Sequence, residues 1–259
     1  MGLLSGKRAL VTGAARRIGR AIALELARAG ADVTITYRES AADAEHVVSE
    51  IKALGVAAYA ISCDLRRPQS VREAVHRTAE MMGGLDLLVN NAGRFETAAL
   101  EQLTVEQWDA MAETNTRGPF LVAQAAFPYL KASHGRIVNI GSLGGLHPWA
   151  THAHYCTSKA ALHMLSQTMA KAWAPEISVN CVAPGMIVFG EVEAEYQHFA
   201  ERTPMRRNGS AEEVAAITLG PGAPCPSGTW EFERSSNNFC LSFRSDRRER
   251  RNLLSRYPQ

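Results

Sequence analysis

The sequence predicts a single α/β domain built on a doubly wound parallel sheet, and three observations support this. The chain has 259 residues, of which 46% are hydrophobic and 21% are charged, which suits one domain with a sizeable core. Short apolar runs alternate with segments of helical periodicity along most of the chain. These runs are apolar on both faces, as strands are when helices cover both sides of a parallel sheet.

The first two strand–helix units occupy the N-terminal fifth of the chain. "RALVTGA" is an apolar run that enters a glycine turn, and a helix follows with Ile18, Ile22 and Leu26 at four-residue spacing. "DVTITY" is the second strand. The helix in "SAADAEHVVSEIKALG" begins at an expected capping box between Ser40 and Asp43.

The remaining units follow in the same order. "VAAYAISCDL" is the third strand, and Pro68 opens the next helix. After the fourth strand, "LDLLVNNAG", a long helix starts at a capping box of Thr104 and Gln107 and meets a break at Gly118-Pro119. "GRIVNIGS" is strand five, a helix then runs up to Pro175, and "SVNCVAPG" is strand six.

Composition excludes several classes of protein. The formal net charge is +2, so the overall charge does not favour a nucleic-acid partner. The sequence contains no run of membrane-spanning length, no signal-peptide layout and no metal-ligand spacing. Five widely separated cysteines indicate reduced thiols in a cytoplasmic protein. We therefore expect no metal, no membrane partner and no nucleic acid.

Residues with functional chemistry follow the predicted strands. Right-handed crossovers give a doubly wound Rossmann fold, in which a ligand binds beyond the carboxyl ends of the strands. Gly13, Asn91, Ser142 and Pro184 each come after a strand. We expect the binding site at that edge of the sheet.

The segment "TGAARRIG" has the pattern of a dinucleotide-binding loop. Gly13 and Gly19 suit the tight turn and the close helix–strand packing, and the helix N-terminus favours phosphate. Arg17 occupies the middle position, where such loops often have glycine. Its guanidinium could bind phosphate or point into the pocket, and the alternative is a solvated arginine on the first helical turn.

The end of strand two bears on the choice of cofactor. NAD-preferring loops place an acidic residue there to bind the ribose hydroxyls. This chain has Tyr37 and Arg38, followed by Ser40. A guanidinium suits a 2′-phosphate, so we expect NADP(H), although the neighbouring Glu39 opposes this choice.

Tyr155 and Lys159 lie four residues apart in "YCTSK" and share one helix face. A lysine one turn away should favour the phenolate and lower the tyrosine pKa, which makes the pair an acid/base catalyst. Ser142 follows strand five, 13 residues before the tyrosine, and could hydrogen-bond a substrate oxygen. An ordinary helix face is the alternative for the tyrosine–lysine pair alone.

The motifs "TGAARRIG", "CDL", "NNAG", "TNTRGPF", "NIGS", "YCTSK" and "VAPG" stand in order between about residues 5 and 219. Together they resemble the short-chain dehydrogenase/reductase family, and within it the ketoreductases similar to 3-oxoacyl-[acyl-carrier-protein] reductases. Arg17 is similar to the arginine in the loop of pteridine reductases. Those enzymes typically have aspartate at the position of Ser142, which favours a general ketone reductase.

The resemblance implies a mechanism of hydride transfer between the nicotinamide and a carbonyl carbon, with Tyr155 as proton donor. It further implies that Lys159 lowers the tyrosine pKa and binds the ribose, that Ser142 orients the carbonyl, and that Asn115 positions a relay water. The implied catalytic residues are Asn115, Ser142, Tyr155 and Lys159. The implied cofactor-binding residues are Gly13, Arg16, Arg17, Ile18, Gly19, Tyr37, Arg38, Ser40, Asp64, Leu65, Asn91, Ala92, Gly93, Tyr155, Lys159, Pro184 and Gly185.

The substrate is expected to be a small carbonyl or alcohol compound. Its pocket is predicted from Leu143, His147, Trp149, His154, Met186 and Phe189, each of which could instead be a core or surface residue. Residues 190–207 are predicted to form a mobile lid.

The predicted NAD(P)-binding catalytic domain spans residues 1–219, and residues 220–259 depart from the family pattern. The resemblance implies a seventh strand after the helix that Ser210 and Glu213 cap. The tail instead has several prolines, seven arginines and no lysine, so the family's seventh strand is predicted to be missing. We interpret the tail as disordered or as the product of a frame or exon change near Leu219. A divergent packed tail and an arginine-rich signal are alternatives.

These features favour an NADP(H)-dependent ketone reductase, because the asparagine, serine, tyrosine and lysine set is complete. A pteridine reductase-like enzyme is one alternative. A catalytically silent dinucleotide-binding protein is the other, and the tail favours it. We expect a homo-oligomer, with a dimer favoured over the family's tetramer because the seventh strand is missing.

Overall fold

The computed structural model describes residues 2–190, 200–201 and 206–219, together with the backbone of 231–235 and 238–243. Its strands are β1 (Arg8–Val11), β2 (Asp32–Tyr37), β3 (Ala58–Ser62), β4 (Leu87–Asn90), β5 (Arg136–Ile140), β6 (Ser178–Pro184), β7 (Glu231–Ser235) and β8 (Asn238–Phe243). Its main helices are α1 (Arg17–Arg28), α2 (Ala41–Ala53), α3 (Pro68–Met82), α4 (Val105–Ala112), α5 (Gly118–Ala132), α6 (Ala153–Trp173) and α7 (Ala211–Leu219).

The sheet has the strand order β3-β2-β1-β4-β5-β6-β8-β7. Strands β1 to β6 are parallel, which confirms the predicted doubly wound α/β fold. Because chain order reverses direction between β1 and β4, this is the place where such sheets open a crevice for a ligand.

The core lies on both faces of the sheet. Successive residues of a strand point to opposite faces, so Ala9 and Val11 pack with α1, α2 and α7, whereas Leu10 packs with α3, α5 and α6. All three side chains are fully buried. This two-sided burial accounts for the absence of a polar face in the apolar runs.

Two of the predicted helix starts are confirmed. Pro68 is the first residue of α3, where its missing N–H costs no hydrogen bond. Thr104 and Gln107 form the complete capping box of α4, with each side chain bonded to the other residue's backbone N–H.

The predicted capping box at Ser40 is wrong. Ser40 precedes α2 but its side chain makes no capping hydrogen bond. Asp43 instead pairs with Arg16 from the glycine loop, with an N–O distance of 2.5 Å. A partner 27 residues away in the chain therefore replaces the local contact that the spacing predicts.

The predicted break at Gly118-Pro119 takes a different form. A π-helical turn, Glu113–Arg117, joins the end of α4 to the start of α5. Pro119 falls in the first turn of α5, where proline is tolerated. The helical path continues through a bulge, and the bulge contains Asn115.

The tail is described only in part. Strand β8 pairs antiparallel with β6, and β7 pairs antiparallel with β8. The other residues of 220–259 lie outside the described residues, and so do 191–199 and 202–205 in the predicted lid. The absence of the family's own seventh strand stays a prediction, as does the division at residue 219.

The two helix starts generate a paired prediction. Thr104→Ala removes the hydroxyl that accepts from the Gln107 N–H in a formed capping box and should lower the free energy of unfolding by about 1 kcal/mol. Ser40→Ala should change it by less than about 0.3 kcal/mol, because no capping bond exists there to lose. Urea unfolding of both variants without cofactor measures the difference, and equal losses would contradict the structure.

Candidate active site

The carboxyl ends of four neighbouring strands bring the predicted site residues to one edge of the sheet. Strands β1, β4, β5 and β6 are adjacent and parallel. Gly13, Asn91, Ser142 and Gly185 lie within two residues of these strand ends. The backbone positions of these four residues therefore lie at one edge of the sheet, as expected.

A threonine that the sequence did not single out joins the glycine loop to β4. The Thr12 hydroxyl oxygen accepts hydrogen bonds from the backbone N–H groups of Asn91 (3.0 Å) and Ala92 (3.1 Å). The Asn91 amide donates in return to the carbonyl oxygens of Thr12 (2.9 Å) and Gly13 (3.1 Å). The loop and the β4 end are thus held as one unit.

The two loop glycines occupy positions with no room for a side chain. Gly13 has φ +62°, and a Cβ there would lie 2.7 Å from the Cβ of Ala92. A Cβ on Gly19 would collide with the side-chain nitrogen of Asn91 and would lie 2.6 Å from the carbonyl oxygen of Gly13. These contacts match the tight turn and the close packing that the pattern predicts.

Arg17 takes the backbone conformation of the glycine that it replaces. Its φ is +53°, a region that costs a residue with a Cβ roughly 1–2 kcal/mol. The guanidinium lies over the ring of Phe189, 5.6 Å from its centroid, a distance suited to a cation–π contact. Ile18 follows as a half-buried residue of α1.

The end of β2 carries the residues predicted to select the cofactor. Tyr37 is the last residue of β2 and is half-buried, and Arg38 is exposed. The Arg38 guanidinium pairs with Glu39 at 2.7 Å, and both side chains are about half exposed or more (49% and 76%). An exposed pair of this kind is weak, so it can exchange for a phosphate.

Asp64 and Leu65 follow β3. The Asp64 carboxylate accepts hydrogen bonds from the Arg66 guanidinium (3.1 and 2.8 Å), and this contact lowers the pKa of Asp64 to about 2. Leu65 is buried, and a Cβ on Gly118 would lie 3.0 Å from its Cβ. Both residues stand at the same sheet edge as the glycine loop.

Tyr155, Ser142 and Lys159 meet at the end of β5. Ser142 is buried and hydrogen-bonds the Tyr155 hydroxyl, and the Ser142 Oγ accepts from the Gly144 N–H at 3.1 Å. The Lys159 ammonium donates to the carbonyl oxygen of Ile140 at 2.8 Å and lies 5.9 Å from the centre of the tyrosine ring. The structure therefore brings these three predicted residues together.

The acid–base balance of this pair differs from the sequence-based expectation. Burial raises the pKa of Tyr155 above its ordinary value, and the hydrogen bond from Ser142 offsets only part of this. Burial also lowers the pKa of Lys159 to about 8. A lowered tyrosine pKa is therefore not found in the chain alone, because desolvation by burial is its largest influence, and the effect of Lys159 on that pKa stays a prediction.

Asn115 is fully buried in the π-helical turn. Its Oδ1 accepts from the Arg94 N–H (2.7 Å), and its Nδ2 donates to the Arg94 carbonyl (2.9 Å) and to the Ser158 hydroxyl (3.0 Å). A Cβ on Gly93 would lie 3.4 Å from Asn115 Oδ1 and 3.6 Å from Lys159 Nζ. Asn115 thus ties the loop after β4 to α6 beside the lysine.

Sequence reasoning missed His163, which lies one turn beyond Lys159 on α6. It is buried, and its Nε2 accepts a hydrogen bond from the Ser142 backbone N–H at 3.4 Å. Burial and the nearby Lys159 charge lower the pKa of His163 to about 4. The four-residue spacing from the predicted lysine was the available signal.

Three of the predicted substrate residues lie around the strand-five loop. Leu143 is half-buried, whereas His147 and Trp149 are exposed. The Trp149 ring stacks on the Tyr155 ring at a centroid distance of 6.0 Å. Phe95, which the sequence did not single out, contacts the same tyrosine edge-on at 4.8 Å.

The other predicted substrate residues are more dispersed. His154 is buried, and neither of its ring nitrogens has a hydrogen-bond partner within the described residues. Pro184 ends β6, and Gly185 and Met186 follow as half-buried residues. Phe189 is 46% exposed and lies under Arg17.

The comparisons with known proteins identify the family of the chain. Residues 7–199 match the family model described as short chain dehydrogenase. A 3-oxoacyl-[acyl-carrier-protein] reductase FabG of Staphylococcus epidermidis is 37% identical over 215 residues, covering 81% of this chain and 88% of that protein.

Solved structures are similar to this chain over most of its length. A short chain dehydrogenase from Burkholderia cenocepacia in complex with NADP is 44% identical, with a TM-score of 0.80, covering 85% of this chain and 92% of that one. A dehydrogenase/reductase from Sinorhizobium meliloti is 38% identical, with a TM-score of 0.80, covering 83% and 86% of the two chains.

The fold and the site define an α/β oxidoreductase with a doubly wound parallel sheet. The chain belongs to the short-chain dehydrogenase/reductase family. Among the described residues, no helix is both long and apolar enough to cross a membrane.

The neutral state of His163 generates a prediction on pH and stability. Between pH 6.5 and about 4, the unfolded chain binds a proton that the folded imidazole does not, so acidification lowers the free energy of unfolding. His163→Leu should remove about 3 kcal/mol of the loss between pH 7 and pH 4. Lys159 on α6 and Cys181 on β6 are the titratable groups near the ring, and both remain in the variant.

Urea unfolding of the two proteins across this pH range measures the difference. The carboxylates titrate in both proteins, so their contribution cancels in the comparison. Parallel stability curves would contradict a neutral, buried His163.

Proposed function

We propose that the protein reduces a ketone to a secondary alcohol with NADPH, as 3-oxoacyl-thioester reductases do. The observation that carries the proposal is the buried contact between Ser142 and Tyr155, with Lys159 one turn behind the tyrosine. The similarity to a 3-oxoacyl-[acyl-carrier-protein] reductase supports the substrate class.

The residues at the sheet edge suit a phosphorylated dinucleotide. Gly13 and Gly19 have no Cβ, so the loop backbone packs directly against the residues that follow β4. No side chain caps the start of α1, so its first N–H groups remain for a phosphate. The exposed Arg38 offers a guanidinium for a 2′-phosphate, and the Burkholderia relative was crystallised with NADP.

Each polar group of the site has a role in the proposed reaction. When bound, the nicotinamide would supply the hydride for the carbonyl carbon. Tyr155 donates the phenolic proton to the carbonyl oxygen. Ser142 has one O–H, which contacts the Tyr155 hydroxyl in the chain alone and would turn to the same carbonyl oxygen when substrate binds, while Ser142 Oγ accepts from Gly144. Lys159 uses one donor on Ile140, and its other two can bind the ribose hydroxyls.

The raised tyrosine pKa is compatible with carbonyl reduction. A phenol whose pKa is raised by burial keeps its proton at neutral pH. A protonated Tyr155 is the state that proton donation to a carbonyl requires. The buried Asn115 supports the pair by bonding Ser158 and the Arg94 backbone, and its link to a relay water remains part of the proposal.

Tyr155→Phe should abolish turnover, since it removes the proton donor and keeps the ring. We expect kcat with a small β-keto ester to fall by about 10²–10⁴-fold, with unchanged NADPH affinity by fluorescence titration. Tyr129→Phe on α5 is the matched control and should keep kcat. Wild-type kcat in Tyr155→Phe would exclude this tyrosine as the acid.

Arg38→Ala should weaken NADPH and leave NADH almost unchanged, because only NADPH carries the 2′-phosphate. Losing a charge-assisted hydrogen bond predicts about a 10- to 100-fold higher Kd for NADPH. Isothermal titration calorimetry with both cofactors measures the change.

Arg17→Ala is the comparison for that experiment. If Arg17 binds the pyrophosphate that both cofactors share, their Kd values rise together. If it faces the substrate, the KM of the ketone rises and the cofactor affinities stay constant. An equal effect of Arg38→Ala on NADH and NADPH would contradict the proposed cofactor preference.

Two other functions remain as alternatives. An arginine in the glycine loop, Arg17, is the feature that resembles pteridine reductases, and reduction of dihydropterin without reduction of keto esters would establish that alternative. A catalytically silent dinucleotide-binding protein would bind NADPH and reduce neither compound.

We also propose a cytoplasmic homo-oligomer. Cys63 and Cys156 are free thiols, which suits a reducing compartment. Trp108 on α4, Phe120 on α5 and Met164 on α6 are large apolar side chains with 39%, 40% and 60% exposure. These helices offer an apolar face for a second copy.

Light scattering on the eluting protein should give the mass of a dimer. Phe120→Glu should shift it towards the monomer, because a carboxylate in an apolar interface loses its hydration. Lys131→Glu, on the same helix and near its end, is the charge-changing control. A tetramer would contradict the preference for a dimer.

A further inference from the structure

His163 is a buried, polar residue beneath the loop that carries Ser142. It lies on α6 four residues after Lys159, and 4% of its surface is exposed. Its ring faces the segment 141–145, which follows β5 and ends in a short 3-10 turn, Leu143–Gly145. The residue belongs to none of the roles described above for the reaction.

Two glycines of the loop leave the space that the ring fills. A Cβ on Gly141 would collide with His163 Nε2 and would lie 2.7 Å from its Cδ2. A Cβ on Gly145 would lie 2.8 Å from His163 Cε1, and 2.7 Å from the backbone carbon of Lys159. The loop therefore packs directly against the imidazole and the backbone of α6.

Besides its contact with the Tyr155 hydroxyl, Ser142 makes three further hydrogen bonds. Its N–H donates to His163 Nε2 (3.4 Å), its Oγ accepts from the Gly144 N–H (3.1 Å), and its carbonyl oxygen accepts from the Gly145 N–H (3.0 Å). The second and third contacts lie within the loop. Within the part of the chain that the structure describes, only the bond to His163 connects the Ser142 backbone to a helix.

This bond requires one particular form of the imidazole. Nε2 accepts, so the ring is neutral and its hydrogen is on Nδ1. Nδ1 is buried and has no hydrogen-bond partner among the described residues. A buried, unpaired donor destabilises a fold, so an apolar side chain would pack here at lower cost if Ser142 needed no acceptor.

We propose that His163 is a positioning residue for Ser142. The neutral imidazole accepts the Ser142 N–H and keeps the Ser142 Oγ beside the Tyr155 hydroxyl, where both act on the same carbonyl oxygen. This inference rests on the proposed ketone reduction for its catalytic consequence, and on the geometry alone for the hydrogen bond.

Two substitutions separate the acceptor from simple packing. Glutamine has a carbonyl oxygen at about the same distance from the backbone as Nε2, and leucine fills a similar volume without an acceptor. His163→Leu should lower kcat about tenfold, and His163→Gln should stay within about threefold of the wild type. The Kd of NADPH should be unchanged in both, because neither change touches the glycine loop.

A control variant removes the effect of stability alone. Met169→Ala creates a cavity in the same helix, away from Ser142, so it should lower the melting temperature and keep kcat at 20 °C. If His163→Leu does not fold, His163→Asn replaces it, because the asparagine amide ends short of the Nε2 position. Wild-type kcat in the acceptor-free variant, or an equal fall in His163→Gln, would overturn the proposal.

The tautomer gives a readout that does not depend on turnover. The ¹⁵N spectrum of histidine-labelled wild-type protein should show His163 with its hydrogen on Nδ1, assigned by the loss of its signals in His163→Gln. A hydrogen on Nε2 would overturn the proposal even in an active enzyme. A protein that reduces no ketone but shows the Nδ1–H form would disprove the proposed function and leave the Ser142 contact standing.

Discussion

The parallel pairing of β1, β4, β5 and β6 is the constraint on which the rest of the structure depends. Parallel strands end at the same edge, so residues far apart in the chain meet there without any further device. Thr12 then connects the ends of β1 and β4 through its hydroxyl, and Lys159 connects α6 to the end of β5. Helices pack on both faces of the sheet and bury the apolar side chains of these strands.

The candidate site combines burial with few charges. Lys159 is the buried cation of the site, and its neighbours Tyr155 and His163 are neutral at pH 7 because burial opposes their ionisation. A low-dielectric surrounding strengthens each hydrogen bond to a developing charge. The same surrounding raises the pKa of Tyr155, so the tyrosine keeps its proton at neutral pH.

Much of the fold and of the site was predictable because short-range patterns carry it. The alternation of apolar runs and helical segments predicts the sheet, and the four-residue spacing of Tyr155 and Lys159 predicts a shared helix face. Gly13 and Gly19 likewise follow from the spacing of the loop. In each case the deciding contact lies within one or two turns of chain, or at a strand end.

The misses have a common physical cause. Asp43 could cap its own helix, but Arg16 from another element binds it instead. The tyrosine pKa depends on burial, which spacing does not reveal. His163 acquires its role only when Gly141 and Gly145 fold over it. Packing between distant parts of the chain determines the Asp43 partner, the Tyr155 pKa and the position of His163. A local sequence pattern does not record such packing.

The π-helical turn at 113–117 also has an evolutionary reading. A π-helical turn holds one more residue than the α-helical turn it replaces, so its geometry is that of a one-residue insertion between α4 and α5. Deleting one residue of this turn would let α4 and α5 merge into one α-helix. The Asn115 side chain would then rotate about the helix axis by about 100°, away from its bonds to Arg94 and Ser158. A gene lineage could therefore gain or lose this junction in a single codon event, with the rest of both helices unchanged.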